Sequence, residues 1–402
     1  MVSTLYLDTA RLGRMCPEAR AADHDFARFA SEEGCSLYFE RFLRSGYTAL
    51  PISLAREYPG LAFWAGVRGF KNDLKSALLL PRERQVLIAN RSAQLVRLAA
   101  RLLASQCENT LVTDMEWPAY LQSLEAEIGR AGRTLTKLTL REAVLRDGAT
   151  DVELVERIVA EYRRADCDGL FLSAVTFQGV RMPLPAIIQA LGPRDRPRFT
   201  VVDGAQAVNH IPLGLAAGYC DLLLTGCHKW LRAYHPLGLA FCCHAATENH
   251  IRQTCADMRR RRELDDPLLA FSSQLETGER ENFSETVNLG PMFTAAAAVR
   301  RMLASPRAKR AEFASQVDNA DRVAERASSA GWRPMRPADP MRSGILLLEP
   351  RSPGTCSAPP DVLRERLLAA GVALTTYEGA TVRASFPDLP LSHDQQTVLH
   401  AA

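Results

Sequence analysis

The sequence has no Cys-x-x-Cys pair, no G-x-G-x-x-G or G-x-x-x-x-G-K-[ST] loop, and no H-E-x-x-H or G-x-S-x-G motif. These absences argue against a zinc knuckle, the common nucleotide-binding loops, and zinc or serine hydrolases. The ten cysteines do not change this: Cys242 and Cys243 are adjacent, and Cys220 and Cys227 lie too far apart for a knuckle. They read as buried thiols of a reducing compartment, and no metal is expected. An excess of charge of one sign is missing too, with 49 basic against 46 acidic residues and a net charge of +3. A polyanion is therefore not the expected main partner, and no nucleic acid is expected. The basic run Arg259 to Arg262 is followed at once by Glu263, Asp265 and Asp266, as on a solvated helix face. No apolar run approaches the length that spans a membrane, and the opening MVSTLYLDTARLG has no basic region leading into an apolar stretch. The expectation is a cytoplasmic protein with no membrane partner.

What is present is the composition of a soluble globular chain, 47% hydrophobic and 24% charged, over 402 residues. That length suits one large and one smaller domain. Between about residues 85 and 245, short β-branched or Leu-rich runs alternate with helical patterns, which points to βαβ units and a largely parallel sheet. The expected strands are Val86–Ala89, Thr110–Thr113, Gly169–Ser173, Phe199–Asp203, Asp221–Thr225 and Gly238–Cys242. Helices are expected from Ser92, from Asp151, and over 183–192, where prolines suit the start and Gly192 the end. Later the pattern changes to long helices over Met292–Leu303 and Ala308–Ser329, a Pro-rich crossing and a helix-strand-strand ending. The expected division is a large α/β domain over 20–250 and a smaller α+β domain over 251–402, with residues 1–19 packing near the active site. The segment from Ser31 to Tyr58 carries no assignable pattern.

Two strand ends carry chemistry. VVDGAQ places Asp203 at the end of one apolar strand, and LLLTGCHKW places His228 and Lys229 just after the next. In an open parallel sheet both face the crevice beyond the carboxyl ends of the strands. A carboxylate held against a protonated heteroaromatic nitrogen, and a lysine able to form a Schiff base, are the two groups that pyridoxal 5′-phosphate requires. Separately each has an ordinary structural explanation, a turn or a solvent-facing lysine; their joint occurrence on consecutive strands favours the cofactor. The start of a helix after a strand at Asn90, Arg91 and Ser92 is a ready anion site.

With these residues in place, VVDGAQAVNHIPLGL…CDLLLTGCHKWL resembles the core of the class V aminotransferase family. These are fold-type I pyridoxal-phosphate enzymes that include cysteine desulfurases, isopenicillin N epimerases and C–S lyases. LYLDTARLG, ANRSAQLVRLA, LVTDMEWPAY, ETVN and VRASF resemble further family segments in the expected order. The resemblance implies a large domain with a mostly parallel sheet flanked by helices, plus a smaller C-terminal α+β domain. It implies that Lys229 carries the cofactor, Asp203 pairs with its ring nitrogen, Gln206 bonds its phenolic oxygen and His228 its phosphate. Asn90, Arg91 and Ser92 fall at its phosphate-binding helix start, and Trp117 at the ring-stacking position. Thr286 would reach the phosphate in the neighbouring subunit of a homodimer with shared active sites, and Arg383 would bind the substrate carboxylate.

The sequence departs from the family at several places. No cysteine lies in GVALTTYEGATVRASF, where desulfurases carry their nucleophile, and Cys356 precedes the helix before it. Gly226 and Phe177 stand where a serine and an asparagine are usual, and the stretch from Lys229 to Gly238 is longer than usual, so that Tyr234 and His235 are candidates to reshape the substrate side. The expected activity is on a small amino acid, through an imine with the cofactor and removal of the Cα proton by Lys229, with transamination first. β-Elimination by a C–S lyase and epimerisation use the same residues and stay open, as does a catalytically silent, cofactor-binding regulatory domain.

Overall fold

The structure is a computed structural model and describes residues 4–33, 39–215, 218–277, 286–304, 308–352, 357–392 and 395. Its centre is a seven-stranded sheet built from β2 (Val86–Ala89), β3 (Asn109–Thr113), β4 (Thr134–Leu138), β5 (Gly169–Ser173), β6 (Phe199–Asp203), β7 (Leu222–Gly226) and β8 (Gly238–Cys242). The order is β2-β8-β7-β6-β5-β3-β4. β8 runs antiparallel to both its neighbours and the other pairings are parallel. The strands expected from sequence are all present, with the start of β3 and both ends of β7 moved by one residue. β4 was not expected: its Thr-Leu-Thr-Lys-Leu pattern is too polar to read as an interior strand, and it lies half-exposed at the sheet edge.

Alternation along each strand sends side chains to two separate cores. Val86, Ile88, Leu170, Leu172, Val202, Leu223 and Phe241 enter one core. Leu87, Phe171, Val201, Leu222, Leu224 and Ala240 enter the other, under helix Ser92–Gln106. Both faces are covered, so these strands are nearly all apolar, which is why they were legible as runs. Helix Pro17–Glu32 packs along helix Gly290–Ala304, with Phe26 and Phe293 rings 4.5 Å apart. That second helix contributes Met292, Phe293 and Val299 to the first core, and helix Ala245–Arg260 contributes Ile251, Cys255 and Met258 to the second. The stretch from Ser31 to Tyr58 contains short helical pieces at Glu40–Ser45, Tyr47–Ala49 and Ile52–Glu57, each too brief to leave a periodic signal.

A smaller sheet has β12 (Thr375–Thr376), β13 (Val382–Ser385), β10 (Ile345–Pro350) and β9 (Trp332–Met335) in that order, all antiparallel. It has its own core of Leu346, Leu348, Leu363, Leu367, Val382 and Phe386, shared with Ala320 and Ala324 of helix Ala308–Ser329. The N-terminal strand β1 (Leu5–Tyr6) pairs in parallel with β11 (Val372–Ala373). The chain then turns towards the large sheet, where Ala10 and Arg11 reach its strand ends.

Candidate active site

The carboxyl ends of β2, β3, β5, β6 and β7 share one rim, as the pairings Ala89 with Gly238, Gly226 with Gly238, and Ser173 with Asp203 require. A cavity of about 250 Å³ opens there. Asp203, Gln206, His228, Lys229, Ser92, Trp117 and Arg383 all line it. Residues far apart in sequence meet because all but Arg383 lie at or after strands that end at the same edge, while Arg383 comes from β13 of the smaller sheet.

Asp203 closes β6 and is buried, and its Oδ1 accepts the Ala205 N–H at 2.9 Å. Burial pushes its carboxyl up, while Lys229 and the Ala205 N–H pull it back. Burial pushes the Lys229 amine down to about 8, with Asp203 opposing the shift and Arg383 adding to it. The lysine backbone is fixed from the N-terminal segment: Gly13 N–H donates to the His228 carbonyl at 2.7 Å, and a β-carbon on Gly13 would collide with the Lys229 carbonyl oxygen. The His228 imidazole is pushed down to about 4 by burial and by Lys229. Its Nδ1 is buried with no hydrogen-bond partner among the described residues. Gly226 leaves room for that ring, since a β-carbon would stand 3.1 Å from it.

Gln206 has one amide end on each neighbour: Nε2 donates to the Ala10 carbonyl and Oε1 accepts from the Trp230 indole N–H, both at 2.7 Å. One Nε2 hydrogen is left for a ligand. Trp117, 40% exposed, stands edge-on to Phe177 with centroids 5.2 Å apart, and both rings line the cavity.

The helix start expected to bind an anion is divided. The Ser92 hydroxyl lines the cavity and lies 2.9 Å from that of Tyr120. Asn90 instead donates its backbone N–H (2.9 Å) and its side-chain amide (3.1 Å) to Asp266, which also accepts the Leu269 N–H at 3.0 Å. Asn90 and Arg91 are not among the lining residues, and Arg91 is exposed. Thr286 is exposed and outside the cavity of its own chain.

Arg383, on β13, is buried; its Nη2 donates to the Thr375 hydroxyl at 3.3 Å and its guanidinium lies 5.6 Å from the centre of the Tyr377 ring. Nε has no partner among the described residues. The loop after Lys229 turns away from the cavity. Cys16 N–H donates to the Arg232 carbonyl at 3.0 Å and His235 Nε2 lies 2.9 Å from Asp23 Oδ1, so the loop is held to the N-terminal helix, and neither Tyr234 nor His235 lines the site.

Sequence reasoning missed Glu116, Ser173, Asp8, Tyr120 and Tyr377. Glu116 is buried behind the cavity, where its carboxyl accepts from the Thr113 hydroxyl at 3.0 Å and from the Ser173 hydroxyl and N–H. A signal existed, since Asp-Met-Glu-Trp puts a carboxylate just after a strand that ends at this rim. Among the described residues no cysteine lines the cavity, and Cys35 and Cys356 lie outside the described residues. Among them, too, no group of His, Cys, Asp and Glu is arranged to hold a metal ion, and no helix is long and apolar enough to cross a membrane.

These residues fit pyridoxal 5′-phosphate. A lysine with a lowered amine pKa faces a buried carboxylate, the Arg383 Nε donor is left without a partner and suits an anionic group, and the unpaired His228 Nδ1 is free to hydrogen-bond a cofactor group. The class V aminotransferase model matches residues 68–253. No curated protein sequence matches the chain. Among solved structures, the cysteine desulfurase CsdA of Escherichia coli superposes with a TM-score of 0.70 at 14% identity, covering 99% of this chain and 93% of that one. Ureidoglycine–glyoxylate aminotransferase of Bacillus subtilis gives 0.65 at 15% identity over 100% and 92%. The cystine C–S lyase C-DES gives 0.65 at 15% identity over 99% and 97%. These likenesses establish the fold, which is that of fold-type I pyridoxal-phosphate enzymes. The match over residues 68–253 spans the stretch that holds Asp203 and Lys229 and is to the class V aminotransferase family, and the chain is a pyridoxal 5′-phosphate-dependent enzyme.

Proposed function

We propose that the enzyme is an aminotransferase acting on a small amino acid. The observation that supports it is the meeting in one cavity of Lys229, Asp203 and a buried Arg383 with an unused donor, with no cysteine among the described lining residues. The bound cofactor supplies an electrophilic carbon for the substrate amine and a ring that draws electrons from the Cα–H bond. Asp203 would face the ring nitrogen, where a protonated pyridine nitrogen would add to Lys229 and the Ala205 N–H in opposing the burial that raises its carboxyl. Lys229 would hold the cofactor and, once freed by the substrate amine, would take the proton from the substrate Cα and return it within the same site. A lowered amine pKa makes the neutral base available near neutrality. Arg383 clamps the α-carboxylate through two N–H groups. His228 and Ser92 would hold the phosphate, Trp117 would pack on the ring, and the Nε2 hydrogen that Gln206 does not use would be available to the phenolic oxygen. Asn90 and Arg91 act behind this layer, Asn90 by fixing the turn through Asp266.

In this reading the active unit is a homodimer in which Thr286 completes the partner's phosphate site, and its exposure outside its own cavity supports that role. A cytoplasmic setting goes with it, since the eight described cysteines are free thiols.

Two measurements test the assignment. Borohydride should bleach the yellow holoenzyme and leave the pyridoxyl label on Lys229; a label elsewhere refutes the site. A panel of amino acids should convert bound cofactor to its amine form and release the matching 2-oxo acids. Pyruvate with an expelled β-substituent would select elimination, and loss of Cα deuterium with retained amino acid would select epimerisation.

A further inference from the structure

We propose that Arg11 selects amino acids whose side chain ends in a second carboxylate. This rests on the aminotransferase reading and names the substrate class of the same cavity. Two guanidiniums line that cavity, Arg383 in its wall and Arg11 at its mouth. Arg383 spends one N–H on a neutral hydroxyl and has no partner for Nε. Arg11 keeps 57% of its side chain exposed, and its nearest carboxylate oxygen, Asp8 Oδ2, is 4.0 Å away, too far for a hydrogen bond. Asp8 is itself committed to the Thr375 hydroxyl. The substrate end thus presents two cationic forks around one carboxylate that saturates neither. An α-carboxylate satisfies Arg383 alone; a side-chain carboxylate gives Arg11 the bidentate partner it lacks.

Arg11 is also pre-positioned. Its turn is closed by Arg11 and Leu12 N–H groups, both donating to the Asp8 carbonyl at 3.0 Å. Next to it, Ala10 N–H donates to the Ser385 hydroxyl at 3.0 Å, and the Ala10 carbonyl accepts from Gln206 at 2.7 Å. Ser385 is two residues from Arg383 on β13, so one turn ties the mouth guanidinium to both the substrate strand and the cofactor side. Trp117 and Phe177 line the same cavity, and their apolar faces keep water from ion pairs formed inside it, where attraction is stronger than at the open surface.

The test uses the full-length holoenzyme and has two arms. In the first, succinate and succinamate are titrated as unreactive ligands and followed by the absorbance of the bound cofactor. In the second, kcat/KM is measured for aspartate against asparagine and for glutamate against glutamine. Wild type should favour the acid over the amide by at least about tenfold in both arms. Arg11→Gln should bring the ratios close to one, acting on KM more than on kcat, and Arg11→Lys should restore part of the preference. Amides bound or used as well as acids, or ratios unchanged in Arg11→Gln, would overturn the inference. The readings fail separately: an unlabelled Lys229 and no turnover of any amino acid refute the aminotransferase reading, whereas the dicarboxylate preference and its loss in Arg11→Gln can still be read from the binding arm by itself.

Discussion

Glu116 accepts hydrogen bonds from both the backbone N–H and the hydroxyl of Ser173, the residue that pairs with Asp203 across neighbouring strands. Two buried carboxyls therefore stand near each other at one end of the sheet, one facing the cavity and one behind it. Burial pushes Glu116 up to about 7, and the charge of Asp203 adds to the shift.

That shift has a defined sign. The native protein keeps the Glu116 proton up to about pH 7, whereas an unfolded chain releases it near 4.5, so the group's stabilising contribution is present below pH 4.5 and lost as pH rises through 7. Glu116→Gln removes the titration and keeps an acceptor for Ser173. Relative to wild type, the variant should gain up to about 3 kcal/mol between pH 4.5 and pH 8. Urea melts of both proteins across that range check it; parallel curves would show that Glu116 is ionised in the native state throughout.

Cofactor loading should report the Lys229 amine. Only the neutral amine attacks the cofactor aldehyde, and this lysine is pushed down to about 8 by burial. The rate at which the cofactor-free protein becomes yellow should rise through a midpoint near pH 8, with roughly a tenth of the amine already free at pH 7. Stopped-flow absorbance between pH 6 and 10 measures it, and a midpoint near that of an ordinary lysine would contradict the placement of Lys229 beside Arg383 in a buried site.

His210 should prove structural. Its ring stacks on Trp230 at 3.6 Å, Nδ1 donates to the Gln206 carbonyl at 2.7 Å and Nε2 accepts the Gly344 N–H at 3.1 Å, which requires the neutral ring; burial holds its pKa down to about 3. His210→Phe keeps the stacking and strands two buried backbone groups, a loss of about 2–4 kcal/mol. Chemical denaturation measures the loss, and weaker cofactor binding should accompany it because Gln206 sits in the same network. A neutral substitution would mean that the ring does not join the two sheets.

Subunit sharing is tested by mixing Thr286→Ala with Lys229→Ala. A hybrid dimer contains one site free of both changes, so activity should return when the two inactive preparations are dissociated and reassociated. Confirmed hybrids without activity would place Thr286 within its own subunit's chemistry or outside it altogether.

Much of this was legible in the chain. Strands β2, β5, β6, β7 and β8 are buried on both faces, so their residues had to be apolar, and that uniformity made them visible as runs. Asp203 and Lys229 were legible because each follows such a run directly, and the strand ends fixed where they had to point. β4 was hidden because an edge strand with polar alternation has no strong signature, and the pieces between Ser31 and Tyr58 because single turns have no period.

By itself the sequence determined the alternating strands and helices of the large sheet and pointed to pyridoxal 5′-phosphate through Asp203 and Lys229, since these depend on local pattern and on residues within about thirty positions of one another. Only the tertiary structure decided how distant groups share one space. It gave Asn90 to Asp266, which lies 176 positions away, turned Tyr234 and His235 from the cavity, brought Glu116 behind Ser173, and set Arg11 across from Arg383. The physical reason is that a hydrogen bond or a desolvated charge depends on what surrounds it in three dimensions, and in an open sheet those surroundings are assembled by strand order, which local sequence pattern does not encode.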